Sequence, residues 1–268
     1  MPKVLIINMT IKVFKIGGQI VDNEVLLEQF ISIFSKVKGY KILVHGGGKI
    51  ASKLCESLGI VPKMHNGRRI TDEPTLKVVV MAYAGLINKN IVALLQAKNQ
   101  NAIGLSGADG NIIKAHKRMN SEIDYGFAGD IDVIDTSILE KLLETGQVPV
   151  MAPITHDKKG QLLNTNADTI ANELSVALSV QHTVELFYLF DKKGVLTDIK
   201  DEDSVLPQIK ISDIDNLIND GTIADGMIPK ITNAKNAIKN GVSKIVLTNI
   251  EGLENISSNL TVGTTILK

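Results

Sequence analysis

The chain predicts an α/β fold, a mainly parallel sheet covered by helices on both faces. Two observations carry this reading. Apolar runs of β type alternate with helical patterns from one end of the chain to the other. Two of the predicted strands also run straight into glycine-rich turns, Lys15-Ile16-Gly17-Gly18 and His45-Gly46-Gly47-Gly48.

Taken in order, residues 12–16 read as the first strand, and Leu26, Leu27, Phe30, Ile31 and Phe34 mark one face of the helix after it. Residues 41–45 and 49–58 repeat the strand–helix pair. Thr71 and Asp72 before Pro74 form a helix start, and that helix can continue to about residue 98 as a central packing element. Residues 102–105 predict a third strand, and residues 112–116 with the stretch near Phe127 a hairpin excursion. A buried-type strand follows at 148–151, then a helix at 167–178 and a strongly apolar strand at 183–190. Helices near 211–219 and 227–240 and strands at 244–248 and 264–267 complete the pattern. The polar stretch 198–204 predicts a surface loop. The sequence has no internal repeat, low-complexity tract or flexible linker. A single domain spanning 1–268 is expected, with a change of lobe near residues 170–180.

The composition narrows the class of function. The chain has 268 residues, 44% of them hydrophobic, enough for a sizeable core. Lysine plus arginine total 29 and aspartate plus glutamate 29, so no overall charge steers it to nucleic acid or an anionic membrane. The single cysteine, Cys55, cannot form an internal disulfide, which fits a reducing compartment. The sequence reading finds no apolar run near the roughly 20 residues of a membrane span and no signal peptide at Met1-Pro2-Lys3-Val4-Leu5. A soluble cytoplasmic protein is expected.

Glycine lets backbone approach an anion closely, and a following helix N-terminus adds partial positive charge. Two such turns, one carrying Lys15, suggest a split phosphate site. Gly46-Gly47-Gly48-Lys49-Ile50-Ala51 fits a loose dinucleotide pattern, but His65-Asn66-Gly67 stands where the ribose-binding acid belongs. No Walker A run occurs. The five histidines, His45, His65, His116, His156 and His182, include no i, i+4 pair, so no metal site is expected on them. Gly104-Leu105-Ser106-Gly107-Ala108 lacks the last glycine of a nucleophile elbow. Cys55 lies in an amphipathic helix as a small core residue. Three further segments stand out: Arg68 and Arg69, placed in a loop before the long helix and able to fork onto a carboxylate; Asn164-Thr165-Asn166-Ala167-Asp168 at a helix start, where capping is the simplest role; and Asp225-Gly226-Met227-Ile228-Pro229-Lys230, where a lysine sits in a first helical turn that a bound anion would favour.

Together these ordered segments, from Lys15 to the C-terminus, resemble the amino-acid kinase family, and within it the branch acting on N-acylated glutamate. The resemblance implies a three-layer αβα sandwich, with an N-terminal lobe of about 1–173 for the acyl amino acid and dimerisation and a C-terminal lobe of about 174–268 for ATP. It implies transfer of the ATP γ-phosphoryl group, with Mg²⁺, to the side-chain carboxylate of N-acetylglutamate or a close relative such as N-succinylglutamate, in arginine biosynthesis. By resemblance, Lys15 and Lys230 neutralise the transferring group and Asp168 orients both. Gly17 and Gly18 hold phosphate; Gly47, Gly48, Arg69 and Asn164 hold the substrate; and Asp191, Gly194, Asp225, Gly226 and Met227 hold the nucleotide. An already ionised carboxylate needs no general base, which suits a chain without an evident catalytic histidine. Two departures stand out. Phe190 replaces the Ser or Thr usual before the nucleotide-loop aspartate, and Arg68 stands at a commonly neutral position, where it favours a larger, more anionic acyl group. The stretch before Lys15 reads as β-like rather than as an interlocking helix, which predicts a homodimer without arginine feedback. Alternatives are a kinase of another N-acylated acid, such as an aminoadipate derivative, or a non-catalytic binding protein.

Overall fold

The computed structural model describes residues 8–65, 67–119, 122–198, 200–223, 227–254, 256 and 263–268. Strand β1 (Thr10–Ile16) enters the first glycine turn, the short helix α1 (Gly18–Val21) and then α2 (Glu24–Lys36). Strand β2 (Tyr40–His45) enters the second glycine turn and α3 (Gly48–Ser57). A small hairpin, β3 (Lys63–His65) and β4 (Arg68–Ile70), precedes α4 (Glu73–Val80), a π-helical segment (Met81–Ile87) and α5 (Asn88–Ala97). Then come β5 (Ala102–Leu105), β6 (Ile113–Lys117), β7 (Gly129–Ile134), α6 (Ser137–Glu144), β8 (Val148–Met151), β9 (Ile154–His156) and β10 (Leu162–Asn164). The remainder comprises α7 (Ala167–Ser179), β11 (Thr183–Leu189), β12 (Gln208–Lys210), α8 (Ile214–Asn219), α9 (Met227–Lys239), β13 (Lys244–Thr248), α10 (Ile250–Glu254) and β14 (Thr264–Leu267).

Among the described residues the central sheet has eight strands, in the order β12-β14-β13-β11-β1-β2-β8-β5. Six run parallel, from β13 to β5, while β14 pairs antiparallel with β13. The carboxyl ends of the parallel strands therefore share one edge, the usual place for ligands in such sheets. Alternation along β1 splits the core into two layers. Ile11 and Val13 pack with α7 and α9. Phe14 and Ile16 face the other way, onto α2 and α5, where Phe14 stacks on Phe187 at 4.8 Å between ring centroids. The same parity puts Lys15 on the α7 face.

The predicted strands and helices form within a few residues of their expected limits. The short elements α1, β9, β10, β12 and α10 were not expected, and three further regions differ. Arg68 and Arg69 lie in strand β4 rather than a loop, because Met64 pairs with Arg69 and His65 with Arg68 across a turn at Gly67, whose φ is +73°. Helix α6 was not expected from the sequence, although it buries Leu139 and Leu143. The long helix starts where expected, with Asp72 accepting the Thr75 N–H at 3.0 Å, but widens into the π segment at its centre. From Glu73 to Ala97 it is long and apolar enough by composition to cross a membrane, contrary to the sequence reading. It packs against the sheet, burying Val79, Ile87, Ile91 and Leu95.

Candidate active site

At the carboxyl edge of β1 and β2 lies a cavity of about 220 Å³ lined by Lys15, Gly18, Gly46, Gly47, Gly48, Arg68, Arg69, Tyr83, Arg118, Asn164 and Asp168, among others. Its centre is an ion triad. Lys15 Nζ lies 2.6 Å from Asp168 Oδ1, and Lys230 Nζ lies 3.5 Å from Asp168 Oδ2. The three come from separate elements, β1, the first turn of α9 and the first turn of α7. Asn166 caps α7, accepting from the N–H groups of Asp168 at 2.8 Å and Thr169 at 3.1 Å. Capping is thus the work of Asn166, and the Asp168 side chain is left for the lysines. Burial pushes the Asp168 carboxyl up, but the charges and hydrogen bonds of Lys15 and Lys230 outweigh it and hold it below the usual carboxylate range.

The two glycine turns abut, the Gly46 N–H donating to Ile16 O at 3.1 Å. Gly47 has φ +144°, and a Cβ there would fall 2.2 Å from Ile87 Cδ1. The positive φ favours glycine, and any larger residue would also force the Ile87 side chain to move. Gly48 opens α3 with nothing within 4 Å of where a Cβ would lie, so that side of the turn is open. The first N–H groups of a helix have no intrahelical acceptor, so this turn presents donors to the cavity. Gly17 caps α1 beside Lys15, whose Nζ lies 3.8 Å from the position of a Gly17 Cβ.

Beneath the second turn His45 is fully buried. Asn88 Nδ2 donates to His45 Nε2 at 3.2 Å, so Nδ1 carries the proton and donates to Gly46 O at 2.8 Å. Burial pulls its pKa down to about 4, against a smaller opposing effect of the Gly46 bond, so the ring is neutral near pH 7. Asn88 Nδ2 also donates to Val150 O at 2.9 Å, tying the turn to β8.

The lining also carries guanidinium and amide donors. Arg69 is 8% exposed, and its Nη2 donates to Gly48 O and Ser52 Oγ, both at 2.8 Å. Its Nη1 is buried with no hydrogen-bond partner. Asn164 Nδ2 donates to Thr71 Oγ1 at 3.0 Å, which leaves Oδ1 to accept. Arg68 is exposed at the rim, and Arg118 is held by both oxygens of Asp130 through Nε at 3.1 Å.

Of the residues singled out from sequence, Lys15, Lys230, Asp168, Gly18, Gly47, Gly48, Arg69 and Asn164 come together here. Asp191 and Gly194 do not line this cavity. Asp191 is exposed after β11 and lines a neighbouring cavity of about 230 Å³ with Gln19, Phe190 and Asn249. Gly194 answers to packing, since a Cβ there would meet Thr264 Oγ1 at 2.7 Å. Met227 opens α9 and packs on the apolar layer below it, while Asp225 and Gly226, like Asn66, lie outside the described residues. Sequence reasoning missed His45 as a turn anchor, Asn88, Tyr83 and Arg118. For His45 the signal was its place at the strand end before three glycines. Tyr83 gave none, because a helix of regular period does not reveal a π segment.

A sequence model described as the amino acid kinase family matches residues 10–249. An acetylglutamate kinase of Bacteroides thetaiotaomicron is 54% identical over 236 residues, covering 88% of this chain and 92% of that protein. An acetylglutamate kinase of Cytophaga hutchinsonii is 50% identical over 257 residues, covering 95% of this chain and 97% of that one. Among solved structures, smu.665 from Streptococcus mutans UA159 superposes with a TM-score of 0.77 at 29% identity, over 96% of this chain and 98% of that one. The chain belongs to the amino acid kinase family.

Proposed function

We propose that this protein transfers the γ-phosphoryl group of ATP to the side-chain carboxylate of N-acetylglutamate, giving the acyl phosphate used in arginine biosynthesis. The observation that carries this reading is the Lys15–Asp168–Lys230 triad facing a cavity whose far wall holds the free Nη1 of Arg69. The kinship with acetylglutamate kinases supports it.

Phosphoryl transfer to a carboxylate brings two anions together and spreads charge over the transferring oxygens. Lys15 and Lys230 sit where that charge would develop, and Asp168 fixes the direction of both ammoniums. Donors held in place before the reaction need no reorganisation as charge forms. The N–H groups of Gly17, Gly18, Gly47 and Gly48 would receive phosphoryl oxygens. Arg69 would take the α-carboxylate of the acceptor, and Asn164 Oδ1 its amide N–H. The acceptor carboxylate is ionised at neutral pH, so no proton need be removed. These donors are ammonium, guanidinium and backbone N–H groups, which fit phosphate oxygens. Mg²⁺ travelling with ATP would offset phosphate charge from the nucleotide's own oxygens.

In this reading the N-terminal lobe of about 1–173 takes the acyl amino acid, and the C-terminal lobe of about 174–268 takes ATP through Asp191, Gly194, Asp225, Gly226 and Met227. The protein works in the cytoplasm as a homodimer, and sizing chromatography that returned a monomer or hexamer would contradict the dimer. Arg68 at the cavity rim favours a second reading of the acceptor, an N-acyl group carrying its own carboxylate, such as succinyl. One assay tests both readings: ATP- and Mg²⁺-dependent ADP release with N-acetylglutamate, N-succinylglutamate, N-acetyl-aminoadipate and no acceptor, repeated with Arg68→Leu. Turnover strongest with an N-acylglutamate is expected, and no acceptor-dependent turnover would refute the kinase reading. A preference for the acetyl substrate that Arg68→Leu leaves unchanged would remove the succinyl one.

A further inference from the structure

Tyr83 lies in the π-helical segment Met81–Ile87 and is 7% exposed. It lines the same cavity as Arg69 and Gly47, and its Cε1 lies 3.5 Å from where a Gly47 Cβ would stand. Single π turns inside α-helices occur often at functional sites. Here the π segment brings a polar side chain, from a helix otherwise packed against the sheet, to the wall of the cavity.

The hydroxyl faces the Arg69 guanidinium, whose charge acts on it directly. A guanidinium has donors only. The phenol oxygen can therefore only accept from Arg69, and the phenol proton cannot be given to it. The proton is therefore free to go to an acceptor bound in the cavity that Tyr83 lines. One buried donor, Arg69 Nη1, thus remains without a partner, and the Tyr83 side chain lies on the same cavity wall with a phenol proton still to give. A buried polar group without a partner is uncommon, and a free guanidinium nitrogen near a phenol with a proton to donate points to a missing acceptor. A carboxylate has two oxygens and accepts only, so it satisfies both.

We propose that Tyr83 is a specificity-determining residue, donating its phenol proton to the substrate carboxylate that Arg69 binds. This rests on the reading of the acceptor as an N-acylated glutamate. It predicts that Tyr83 discriminates an α-carboxylate from a neutral group of the same shape.

The test compares wild type and Tyr83→Phe in steady-state phosphorylation of N-acetylglutamate and of its α-carboxamide, N-acetylisoglutamine. Phenylalanine keeps the ring against Gly47 and removes only the hydroxyl. A hydrogen bond to a charged group is worth enough to predict about a tenfold rise in KM for N-acetylglutamate. The KM for ATP should stay within about twofold, and kcat should change far less than KM. With the carboxamide, the two enzymes should have KM values within about twofold of each other. An unchanged KM for N-acetylglutamate would overturn the proposal, as would an equal rise with both acceptors. A wild type inactive with N-acylglutamates would overturn the underlying reading and the proposal with it. A wild type that is active beside an unaffected Tyr83→Phe would overturn the proposal alone. Should the variant unfold, calorimetry of wild type with the two acceptors decides. Binding the carboxamide at least tenfold more weakly supports an α-carboxylate site, and equal binding overturns it.

Discussion

Lys15 and Lys41 are buried cations on neighbouring strands of one sheet, 8% and 4% exposed, and their surroundings differ completely. Lys41 sits near the amino end of β2. It donates to Phe34 O and Val37 O at 2.8 Å each and to Ser35 O at 3.4 Å, closing the last turn of α2, and its ammonium lies 4.7 Å from the Phe34 ring centroid. Burial, and then the nearby Lys12 charge, pull its pKa down to about 8. Lys15 sits at the carboxyl end of β1, pairs with a carboxylate and faces a cavity. The two sheet edges follow this difference. At the amino edge Lys41 is saturated by carbonyls. At the carboxyl edge Arg69 Nη1, the Tyr83 hydroxyl and the glycine turns keep spare donors. Buried polar groups are normally satisfied, so the partnerless Arg69 Nη1 on the cavity wall points to a ligand.

The two edges should differ most under substitution of the lysines. Lys15→Ala should lower kcat by about 10²–10³-fold, as loss of one preorganised donor to a developing oxyanion does, with little change in urea-denaturation midpoint. If Lys15→Ala retains full activity, the carboxyl edge has no claim to the chemistry. Lys41→Met should behave oppositely. It leaves the α2 carbonyls without their donor and should destabilise the fold by about 1–3 kcal/mol, read from urea melts, with kcat and KM unchanged. A loss of activity at unchanged stability would place Lys41 in the site and undo the contrast.

A further effect, of comparable size, depends on pH. The folded-state pKa of His45 is about 4, against about 6.5 when unfolded. Between those values the unfolded chain binds a proton that the folded chain does not, so stability falls as pH drops from about 6.5 to about 4. Below that both states are protonated and the loss levels off. His45→Gln should remove this part of the acid sensitivity, up to about 3 kcal/mol, seen as a smaller difference between urea midpoints at pH 7 and pH 4.5. An equal pH dependence in both proteins would mean that His45 titrates normally.

Much of this was legible in the sequence. The strands that carry Lys15 and His45 are short apolar runs ending in glycine, and both features are local. Asp168 and Lys230 announce themselves at helix starts, where a carboxylate and a lysine have different electrostatic preferences. What the sequence could not show depends on how segments pair and wind in the folded chain. Arg69 enters the cavity because β4 pairs with β3 through Met64, in a hairpin of charged residues without apolar alternation. Tyr83 reaches the cavity through a π segment that residue spacing does not encode. His45 acts through Asn88, which is 43 positions away in sequence and meets it only in the folded chain. The roles assigned to Asp225 and Gly226 stay with the resemblance, since neither belongs to the described residues.

In the proposed reaction the open donors at the carboxyl edge hold a carboxylate and a phosphoryl group together. The most direct measurement is to trap the product of ATP and N-acetylglutamate with hydroxylamine. Wild type should yield the hydroxamate in proportion to ADP released, and Lys230→Ala should yield at least about a hundredfold less under the same conditions. ADP release without hydroxamate, or equal yields from the two proteins, would contradict the account.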